Sequence, residues 1–342
     1  MSAEPAARPG PRYLLVRLGS LGDVIHAIPA AAALRAHAPD AQIDWLVDPR
    51  YAGVVRMVRG VDAVIAVDPR ASKARLWSTI RTLRRARYDA AFDVQGLVKS
   101  AVLTRLAGAT RTWGFPRTHL REPLARAFYT DTPDLGTAVH VVYKALAMVA
   151  AVGAGNGEPS FPLDVPASAA AAQVAVRHAA GFALLNPGAA WPNKQWPAAR
   201  FGALASRIRA DHGLPSVVIW GPGEQPHAEA VVAASGGAAE VAPQTGITDL
   251  FGLAKAARVV VSGDTGPLHI AGAVAAPLVA IFGPTITERN GPWAPRDLTV
   301  ARTAQCQCLY QRQCRLAARC IDDISVDEVA AAVARRLERA RV

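Results

Sequence analysis

The sequence predicts an α/β protein of two domains, each built on a parallel β-sheet covered by helices on both faces. The chain has 342 residues, and about 150 residues per domain gives two domains. Hydrophobic residues make up 51% of it and charged residues 19%. This composition provides two cores and excludes collagen-like, mucin-like and disulfide-scaffold proteins. Short buried-strand patterns alternate with helical patterns, which favours parallel sheets. We expect two Rossmann-like domains that face each other across a cleft.

The N-terminal domain begins with a strand, a glycine-rich turn and a helix, the opening of a βαβ unit. Residues 1–11 are rich in Pro and Ala and are expected to form a disordered tail. The domain itself is predicted to span residues 12–160. The strand, turn and helix occupy residues 13–17, 18–23 and 24–37, and further strands are predicted at 43–47, 63–67 and 90–94.

A cluster of Gly, Pro and Asn at residues 153–159 indicates the domain boundary. The alternation then restarts and places a second domain at residues 161–324. Residues 325–342 are expected to form a closing C-terminal helix, because Ser325 and Glu328 have capping-box spacing. Strands of the second domain are predicted at 182–186, 216–220, 259–261 and 278–282, and helices at 196–212 and 267–275.

Positive charge is concentrated in one stretch of the N-terminal domain. The chain carries 38 Lys and Arg against 27 Asp and Glu, a net charge of +11. Residues 70–126 hold 13 of these bases and three acids, so this stretch alone contributes +10. Such a surface indicates an acidic partner: nucleic acid, an anionic membrane or a phosphorylated substrate. A solvated helix face at residues 80–87 is the alternative interpretation.

The sequence also indicates a cytoplasmic protein. Its longest apolar stretch, residues 268–283, contains His269 and Pro277 and is shorter than the roughly 20 residues of a membrane span. Residues 1–11 have no apolar core of a signal peptide. Four cysteines in the whole chain fit a reducing compartment.

The four cysteines, Cys306, Cys308, Cys314 and Cys320, fall within fifteen residues. Their number is that of a structural zinc site, but the spacing lacks the usual C-x2-C knuckle. Free thiols or reversible disulfides are the other interpretation. We assign them no catalytic role and predict no catalytic metal.

The glycine-rich turn at residues 17–24 ends in Asp23. Gly19 and Gly22 allow a tight turn and a close approach of the backbone to a ligand. The turn lacks the third glycine of a dinucleotide fingerprint. Asp23 is interpreted either as the cap of the following helix or as a general base at the floor of the cleft.

The segment 262–269 has the sequence SGDTGPLH. The backbone N–H groups of Thr265 and Gly266 are expected at a helix N-terminus, where anions bind. Asp264 is expected to orient this loop or to accept a proton from a sugar hydroxyl. His269 is either a donor to a phosphate group or a structural residue of the helix.

Two further loops follow predicted strands. In residues 186–196 a Pro/Gly turn places Lys194 over the cleft, where its point charge suits a pyrophosphate; a solvated loop lysine is the alternative. In residues 220–224, Glu224 follows a strand end and is a candidate to bind ribose or sugar hydroxyls. Anion-binding turns on facing sheet edges, with a carboxylate opposite them, are what transfer from a nucleotide sugar requires.

At this point the chain resembles glycosyltransferase family 9, the ADP-heptose:lipopolysaccharide heptosyltransferases. The motifs run in order from about residue 13 to residue 325, and their combination is highly specific. They are LGSLGDVIH at 18–26, DVQGLVKS at 93–100, Asn186-Pro-Gly with Lys194, and GDTGPLH at 263–269 followed by FGPT at 282–285. The sequence REPLA at 121–125, followed by Phe128 and Tyr129, is most similar to the heptosyltransferase I branch, which adds the first heptose to Kdo.

The resemblance implies a GT-B fold and an inverting transfer of heptose from ADP-heptose to the Kdo inner core, without metal or cofactor. It implies that Asp23 is the catalytic base. The donor site it implies consists of Lys194, Glu224, Asp264, Thr265, Gly266 and His269. The chain departs from the family at Ala189 and Ala190, where hydroxyl residues typically stand near the phosphates.

The basic stretch fits an acceptor that carries Kdo carboxylates and lipid A phosphates. Arg70, Lys73, Arg75 and Arg121 are the acceptor-binding candidates. The same surface is expected to hold the enzyme on the anionic inner face of the cytoplasmic membrane, at ~1 kcal/mol per nearby basic residue.

Three other functions remain open from the sequence. The first alternative is a second-heptose transferase or another family 9 enzyme. The second is a basic nucleic-acid-binding protein, and the third is a dinucleotide-dependent dehydrogenase. Few aromatic residues interleave the basic stretch, and no nucleic-acid motif is present, so we expect no nucleic acid as partner. The missing G-x-G-x-x-G argues against the dehydrogenase.

Overall fold

A computed structural model describes residues 10–68, 70–155 and 157–340. The chain divides into two compact units, the first ending at Asp164 and the second beginning at Val165. The sequence places this boundary between residues 160 and 161. Of the predicted tail, residues 1–9 lie outside the described part of the chain. The carbonyl of Pro11 accepts a hydrogen bond from the Gln42 amide at 2.9 Å.

The first unit contains a five-stranded parallel sheet with the strand order β3-β2-β1-β4-β5. Its central strand β1 has four buried residues in succession, as expected of a strand covered on both faces. The elements are β1 (Arg12–Val16), α1 (Leu21–His37), β2 (Gln42–Val47), α2 (Ala52–Arg56), β3 (Ala63–Ala66), α3 (Lys73–Ala86), β4 (Ala90–Asp93), α4 (Val98–Leu106), β5 (Arg111–Gly114) and α5 (Val141–Ala150).

Helix α1 begins three residues before the start predicted from the sequence. Ser20 is its N-cap residue, and Asp23 is the third residue of the helix rather than its cap. The backbone amide and the hydroxyl of Ser20 both donate to Asp23 Oδ2 at 3.0 Å. These bonds from the N-cap residue to the carboxylate of the third helical residue are one half of a capping box, which stabilises the first turn.

The second unit contains a six-stranded parallel sheet with the order β11-β10-β9-β6-β7-β8. Its elements are α6 (Ala169–Arg177), β6 (Ala183–Asn186), α7 (Ala198–His212), β7 (Ser216–Val218), α8 (Gln225–Ala233), β8 (Ala239–Val241), α9 (Ile247–Ala256), β9 (Val259–Gly263), α10 (Gly266–Ala273), β10 (Leu278–Phe282), α11 (Thr287–Asn290), β11 (Leu298–Ala301) and α12 (Val326–Glu338).

The closing helix α12 packs on the second sheet through Val329 and Val333, which are buried in its core. The predicted capping box is confirmed, since the Glu328 amide donates to Ser325 Oγ at 3.2 Å and the Ser325 amide to Glu328 Oε2 at 2.9 Å. A buried ion pair joins the helix to the segment before β11, because Arg336 Nε lies 2.8 Å from Asp297 Oδ1.

All eight strands predicted from the sequence are present, and β10 has the predicted bounds. Three further strands, β5, β8 and β11, were not predicted. Each is three or four residues long and lies at the edge of its sheet. Helices α7 and α10 end within two residues of their predicted ends.

Candidate active site

The carboxyl ends of β6 and β9 lie side by side in the second unit. The two strands are parallel neighbours, with Asn186 opposite Ser262. The Asn186 amide donates to the Ser262 hydroxyl at 2.9 Å and to the Thr265 hydroxyl at 2.8 Å. These bonds join the loops after the two strands at the sheet edge where open α/β sheets bind ligands. The sequence analysis gave Asn186 no role, although its Asn-Pro-Gly motif was the available signal.

Three predicted donor-site residues form one charged cluster, here called the donor cluster: Lys194, Asp264 and His269. Lys194 Nζ lies 2.6 Å from Asp264 Oδ2, and His269 Nε2 lies 3.5 Å from Asp264 Oδ1. The Asp264 side chain is only 5% exposed. Burial acts to raise the pKa of Asp264, but the hydrogen bond from His269 and the charge of Lys194 hold that pKa well below the ordinary carboxyl value. Asp264 is therefore an ionised, buried carboxylate that orients the Lys194 ammonium and the His269 ring.

Lys194 is positioned by a short 3-10 turn, Pro192–Lys194. Its ammonium lies 4.7 Å from the centre of the Trp191 ring and donates to the main-chain carbonyl of Asp264 at 3.1 Å. Gly263 lies against the turn, since a Cβ there would come within 3.1 Å of the Lys194 carbonyl. An ammonium has three N–H donors, and Asp264 accepts two of them through its carboxylate and its carbonyl.

Helix α10 begins at the donor cluster. Thr265 is its N-cap residue, and Gly266 is its first residue. Thr265, Gly266 and Pro267 are partly exposed, whereas Asp264 and Leu268 on either side are buried. The Gly266 N–H is among the first N–H groups of the helix, which have no partner within it, whereas Pro267 has no N–H and the Leu268 amide donates to the Thr265 carbonyl at 3.1 Å. The exposed turn therefore presents backbone donors and the positive end of the helix dipole, which together suit a phosphate group.

Glu224 lies on the loop that follows β7 and is the N-cap residue of α8. Its Oε2 accepts a hydrogen bond from the Gly221 amide at 3.0 Å. The carboxylate rests on the loop after β6, because a Cβ at Gly188 would lie 2.3 Å from Glu224 Oε2. A side chain at position 188 would therefore displace the Glu224 carboxylate from this place. Within the described residues, Glu224 Oε1 has no hydrogen bond, so it is the oxygen that remains to accept one from a ligand.

Ala189 and Ala190, where the chain departs from the family motif, lie on the same loop. Ala189 is buried and its carbonyl accepts a hydrogen bond from the Gln195 side chain at 2.9 Å, whereas Ala190 is exposed. The loop shape is thus held by Gln195, and no hydroxyl stands at either position.

Asp23 lies at the corresponding sheet edge of the first unit, after β1. Its Oδ1 is 2.5 Å from Arg17 NH2, and its side chain is 35% exposed. Arg17 is 12% exposed and also donates to the carbonyl of Val94 after β4. Arg17 stands in the glycine-rich motif, six residues before Asp23. Sequence reasoning gave it no role, because a separation of six residues across a turn does not show that two side chains meet.

A second carboxylate, Asp93, is completely buried at the end of β4. The hydroxyls of Tyr129 and Ser100 donate to Oδ2 at 2.7 and 2.8 Å, and the amides of Gln95 and Gly96 donate to Oδ1 at 2.9 and 3.1 Å. Burial raises the pKa of Asp93, and these four donors oppose the rise. Asp93 fixes the turn whose Val94 carbonyl holds Arg17, and is a structural residue of the site. It begins the motif DVQGLVKS, but the motif alone assigns it no role.

The predicted acceptor-binding residues Arg70, Lys73, Arg75 and Arg121 are all exposed. Lys73 and Arg75 lie in the first turn of α3, and Arg70 precedes it. Trp77 of the same helix is 62% exposed. Within the described residues, no ion pair involves these four bases. Each is therefore an exposed positive charge that is available to an anionic partner.

The four cysteine side chains are free thiols. In the parts of the chain that the structure describes, no group of three or more His, Cys, Asp or Glu side chains is arranged to hold a metal ion. Over the same residues, no helix has the length and apolar character to cross a bilayer.

A model of glycosyltransferase family 9 (heptosyltransferase) matches residues 76–319. Lipopolysaccharide heptosyltransferase 1 of Escherichia coli K12 is 31% identical over 286 residues, covering 80% of this chain and 88% of that protein. The protein of the same name from Pseudomonas aeruginosa PAO1 is 29% identical over 320 residues, covering 89% and 87%.

Solved structures give the same fold over both units. E. coli heptosyltransferase WaaC with ADP is 24% identical, with a TM-score of 0.78, and the match covers 95% of this chain and 99% of that one. WaaC with ADP-2-deoxy-2-fluoro heptose is 25% identical, with a TM-score of 0.74, and the match covers 96% and 99%. These likenesses confirm the fold class expected from the sequence, a GT-B architecture of two Rossmann-like α/β domains.

Proposed function

The chain belongs to glycosyltransferase family 9, the heptosyltransferases, and we propose that it transfers heptose from ADP-heptose to Kdo in the lipopolysaccharide inner core. The transfer inverts the anomeric configuration of the heptose. It is a glycosyltransferase that acts in lipopolysaccharide core synthesis. The observation that carries the finer proposal is the donor cluster: the Lys194 ammonium and the His269 ring, both held by one buried carboxylate beside the N-terminus of α10. A relative of this chain, WaaC, is known with ADP and with an ADP-heptose analogue.

The donor diphosphate is proposed to bind at the start of α10. Lys194 offers its third N–H to a phosphate oxygen, since Asp264 accepts the other two. The N–H groups at the start of α10 supply further donors. As the bond from the anomeric carbon to the phosphate oxygen breaks, negative charge grows on ADP, and these preoriented groups stabilise it. Glu224, on the loop beside them, is proposed to accept hydrogen bonds from the ribose hydroxyls.

Asp23 is proposed as the catalytic base. It accepts the proton of the acceptor hydroxyl, while that oxygen bonds to the anomeric carbon and ADP leaves from the opposite face. A single displacement of this kind inverts the anomeric configuration. Arg17 and Ser20 hold the carboxylate of Asp23 in one orientation before the acceptor binds.

The acceptor is proposed to be recognised by Arg70, Lys73, Arg75 and Arg121 through Kdo carboxylates and lipid A phosphates. All four are exposed and have no acidic partner within the described residues. The same surface is proposed to hold the enzyme at the inner face of the cytoplasmic membrane, facing the cytoplasm. Trp77, exposed on the basic helix α3, suits the headgroup region, because an aromatic ring with a polar edge prefers that interface.

We also propose that transfer needs no metal ion or cofactor. Lys194 and the start of α10 supply the positive charge that a divalent cation would otherwise provide to the diphosphate, and His269 is a further hydrogen-bond donor beside them. Transfer is therefore expected to persist in excess EDTA.

The test incubates the chain with ADP-L-glycero-D-manno-heptose and Kdo-lipid A, and weighs the product by mass spectrometry. We expect a gain of one heptose, unchanged by EDTA and lost in Asp23→Ala. A gain only on an already heptosylated core would replace this proposal with a second-heptose transferase. If neither acceptor gains a heptose while ADP still binds, the acceptor assignment is wrong. Retention on DNA without ADP binding would favour a nucleic-acid-binding protein instead.

A further inference from the structure

An irregular segment of the second unit carries all four cysteines of the chain. This cysteine segment, residues 303–323, contains two short 3-10 turns, Thr303–Gln305 and Cys320–Asp323, and no strand. Leu309, Tyr310 and Leu316 within it are 39 to 49% exposed. Ile321 is fully buried and anchors the C-terminal end of the segment in the core of the second unit. Between Cys308 and Cys314 there is little apolar burial, so contacts of the thiols and of neighbouring loops fix the conformation of that part.

Cys308 and Cys314 are in contact within this segment. Their sulfur atoms lie 3.5 Å apart, and five residues separate them in the sequence. Cys308 is buried, and Cys314 is partly exposed. The Arg315 amide and the Cys314 thiol donate to the Cys308 sulfur and lower the pKa of the Cys308 thiol, whereas desolvation and the contact with Cys308 raise the pKa of the Cys314 thiol. The pair thus combines an accessible thiol with a neighbour that is stabilised as a thiolate.

The cysteine segment is fastened to the turn that carries Lys194. Asn193, which is buried, donates its backbone amide to the Arg312 carbonyl at 3.4 Å and its side-chain amide to the Gln311 carbonyl at 3.1 Å. Arg319 donates to the carbonyl of Pro192 at 2.7 Å. Gln311 and Arg312 lie between the two cysteines, so a change in the path from Cys308 to Cys314 acts directly on the residue before Lys194.

We propose that Cys308 and Cys314 form a thiol–disulfide modification site, which a low-molecular-weight disulfide such as oxidised glutathione converts to an intramolecular disulfide that loosens the Lys194 turn. The site lies outside the residues that the proposed transfer uses. Its chemistry does not depend on the proposed function, whereas its effect on donor affinity rests on that function.

The exchange is balanced in two steps. Cys314 loses its proton to solvent, and its sulfur attacks one sulfur of glutathione disulfide, which expels one glutathione thiolate. The Cys308 thiolate then attacks the Cys314 sulfur and expels the second. Two protein thiols are oxidised, one glutathione disulfide is reduced, and the two released thiolates take up the two protons.

Closing the bond draws the sulfur atoms from 3.5 Å to about 2.05 Å. The five intervening residues must adjust, and the carbonyls of Gln311 and Arg312 move with them. The hydrogen bonds from Asn193 then lengthen, and Lys194 is held less firmly against Asp264. We expect the oxidised form to bind the donor diphosphate more weakly.

The first experiment maps the thiols of the full chain after equilibration with mixtures of reduced and oxidised glutathione. Remaining thiols are alkylated, and the chain is cut with trypsin, which cleaves after Arg302, Arg312 and Arg315. We expect a disulfide that joins peptide 303–312 to peptide 313–315, reversed by dithiothreitol. Cys306→Ser should retain this link through Cys308, and Cys314→Ser should lose it. Four alkylated thiols under all mixtures, a link from 303–312 to the peptide containing Cys320 instead, or a tightly bound metal that protects all four would overturn the proposal.

The second experiment measures ADP binding by calorimetry and kcat/KM for ADP-heptose on the reduced and oxidised chains. We expect about a fivefold loss of both on oxidation, no loss in Cys314→Ser, and the wild-type loss in Cys306→Ser. If the disulfide forms while both quantities stay unchanged, the coupling to Lys194 is wrong. Calorimetry with ADP needs no acceptor, so a failure of heptose transfer leaves this test intact.

Discussion

Arg17 and Asp23 form an ion pair with an N–O distance of 2.5 Å across the turn after β1. Arg17 is itself fixed, because its guanidinium also donates to the carbonyl of Val94 and its side chain is only 12% exposed. Asp23 is held from the side by the Ser20 hydroxyl and amide, both at 3.0 Å. The carboxylate that we propose as the base is therefore fixed in orientation by the fold of its own unit.

Arg17→Ala is expected to lower kcat by about a hundredfold, the cost of misplacing a reacting group by roughly 1 Å. Loss of the guanidinium charge also makes the carboxylate easier to protonate, so the acid limb of the kcat profile should move to higher pH. Arg17→Lys, which retains the charge, should restore most of both properties. The measurement is kcat against pH for the three proteins. Equal profiles in wild type and Arg17→Ala would show that Arg17 does not position the base.

Lys194→Ala is expected to lower kcat/KM for ADP-heptose by about 10²- to 10³-fold, because a preoriented donor to the leaving diphosphate is lost. The variant also leaves the Asp264 carboxylate buried without its closest cation, so its thermal stability should fall. Lys255→Ala, at an exposed position of α9, is the matched control and should change neither. Steady-state kinetics and ADP calorimetry check the prediction. Normal ADP affinity in Lys194→Ala would contradict the diphosphate role.

Glu328 gives a pH dependence of stability. The Glu328 pKa is lowered from 4.5 to about 2, chiefly by the hydrogen bond from Arg302 and by the Ser325 amide. Because the folded value is depressed, the stabilisation is complete above pH 4.5 and is lost as the pH falls towards 2. The side chain is 41% exposed, so solvent screening limits its effect to about 1 kcal/mol. Glu328→Gln keeps the capping-box acceptor and should be less stable at pH 7, with the difference shrinking below pH 4.5 in urea titrations.

Arg336→Met is expected to lower the free energy of unfolding by about 3 kcal/mol, because it leaves Asp297 buried without its partner. Burial raises the pKa of Asp297, and Arg336 opposes this rise. Arg335→Met, one residue away on the exposed face of α12, should change stability little. Chemical denaturation of the two variants makes the comparison. Similar losses in both would show that helix propensity, rather than the buried pair, is the cause.

The basic face of α3 is expected to govern membrane binding. Replacing Lys73, Arg75 and Arg81 together by Gln removes three exposed charges, at ~1 kcal/mol each near an anionic surface. Binding to vesicles containing anionic lipid should fall by roughly two orders of magnitude, and binding to neutral vesicles should stay unchanged. Arg209→Gln, exposed on α7, is the control in the second unit. Equal binding by the triple variant and wild type would contradict the proposed surface.

The central strands could be predicted from the sequence because a strand that is buried on both faces has apolar residues at successive positions. Strand β10 has five buried residues in succession, and its bounds were predicted without error. The edge strand β8 is only partly buried along its length. The sequence there lacks the apolar run that marks a buried strand, and the same reason accounts for the missed β5 and β11.

The charged residues of the candidate site could be predicted from the sequence, but the contacts that position them could not. Lys194, Asp264 and His269 stand in recognisable motifs, and the structure brings them together as one cluster. The roles of Arg17 and Asn186 depend on strands being neighbours in a sheet, which the sequence pattern leaves undetermined. Asp23 lies at the third residue of α1 rather than at its cap, because Ser20 occupies that place.

Two carboxylates at the end of the first sheet have opposite relations to water. Asp93 is sealed from solvent and has four hydrogen-bond donors, whereas Asp23 is 35% exposed. The turn that Asp93 fixes holds Arg17 through the Val94 carbonyl, and Arg17 holds Asp23. The buried Asp93 thus preserves the shape of the turn, and the partly exposed Asp23 is the carboxylate proposed to exchange protons. The carboxylate that we propose as the base can therefore take up and release a proton without disturbing the scaffold, because the Asp93 carboxylate that maintains the geometry is fully buried.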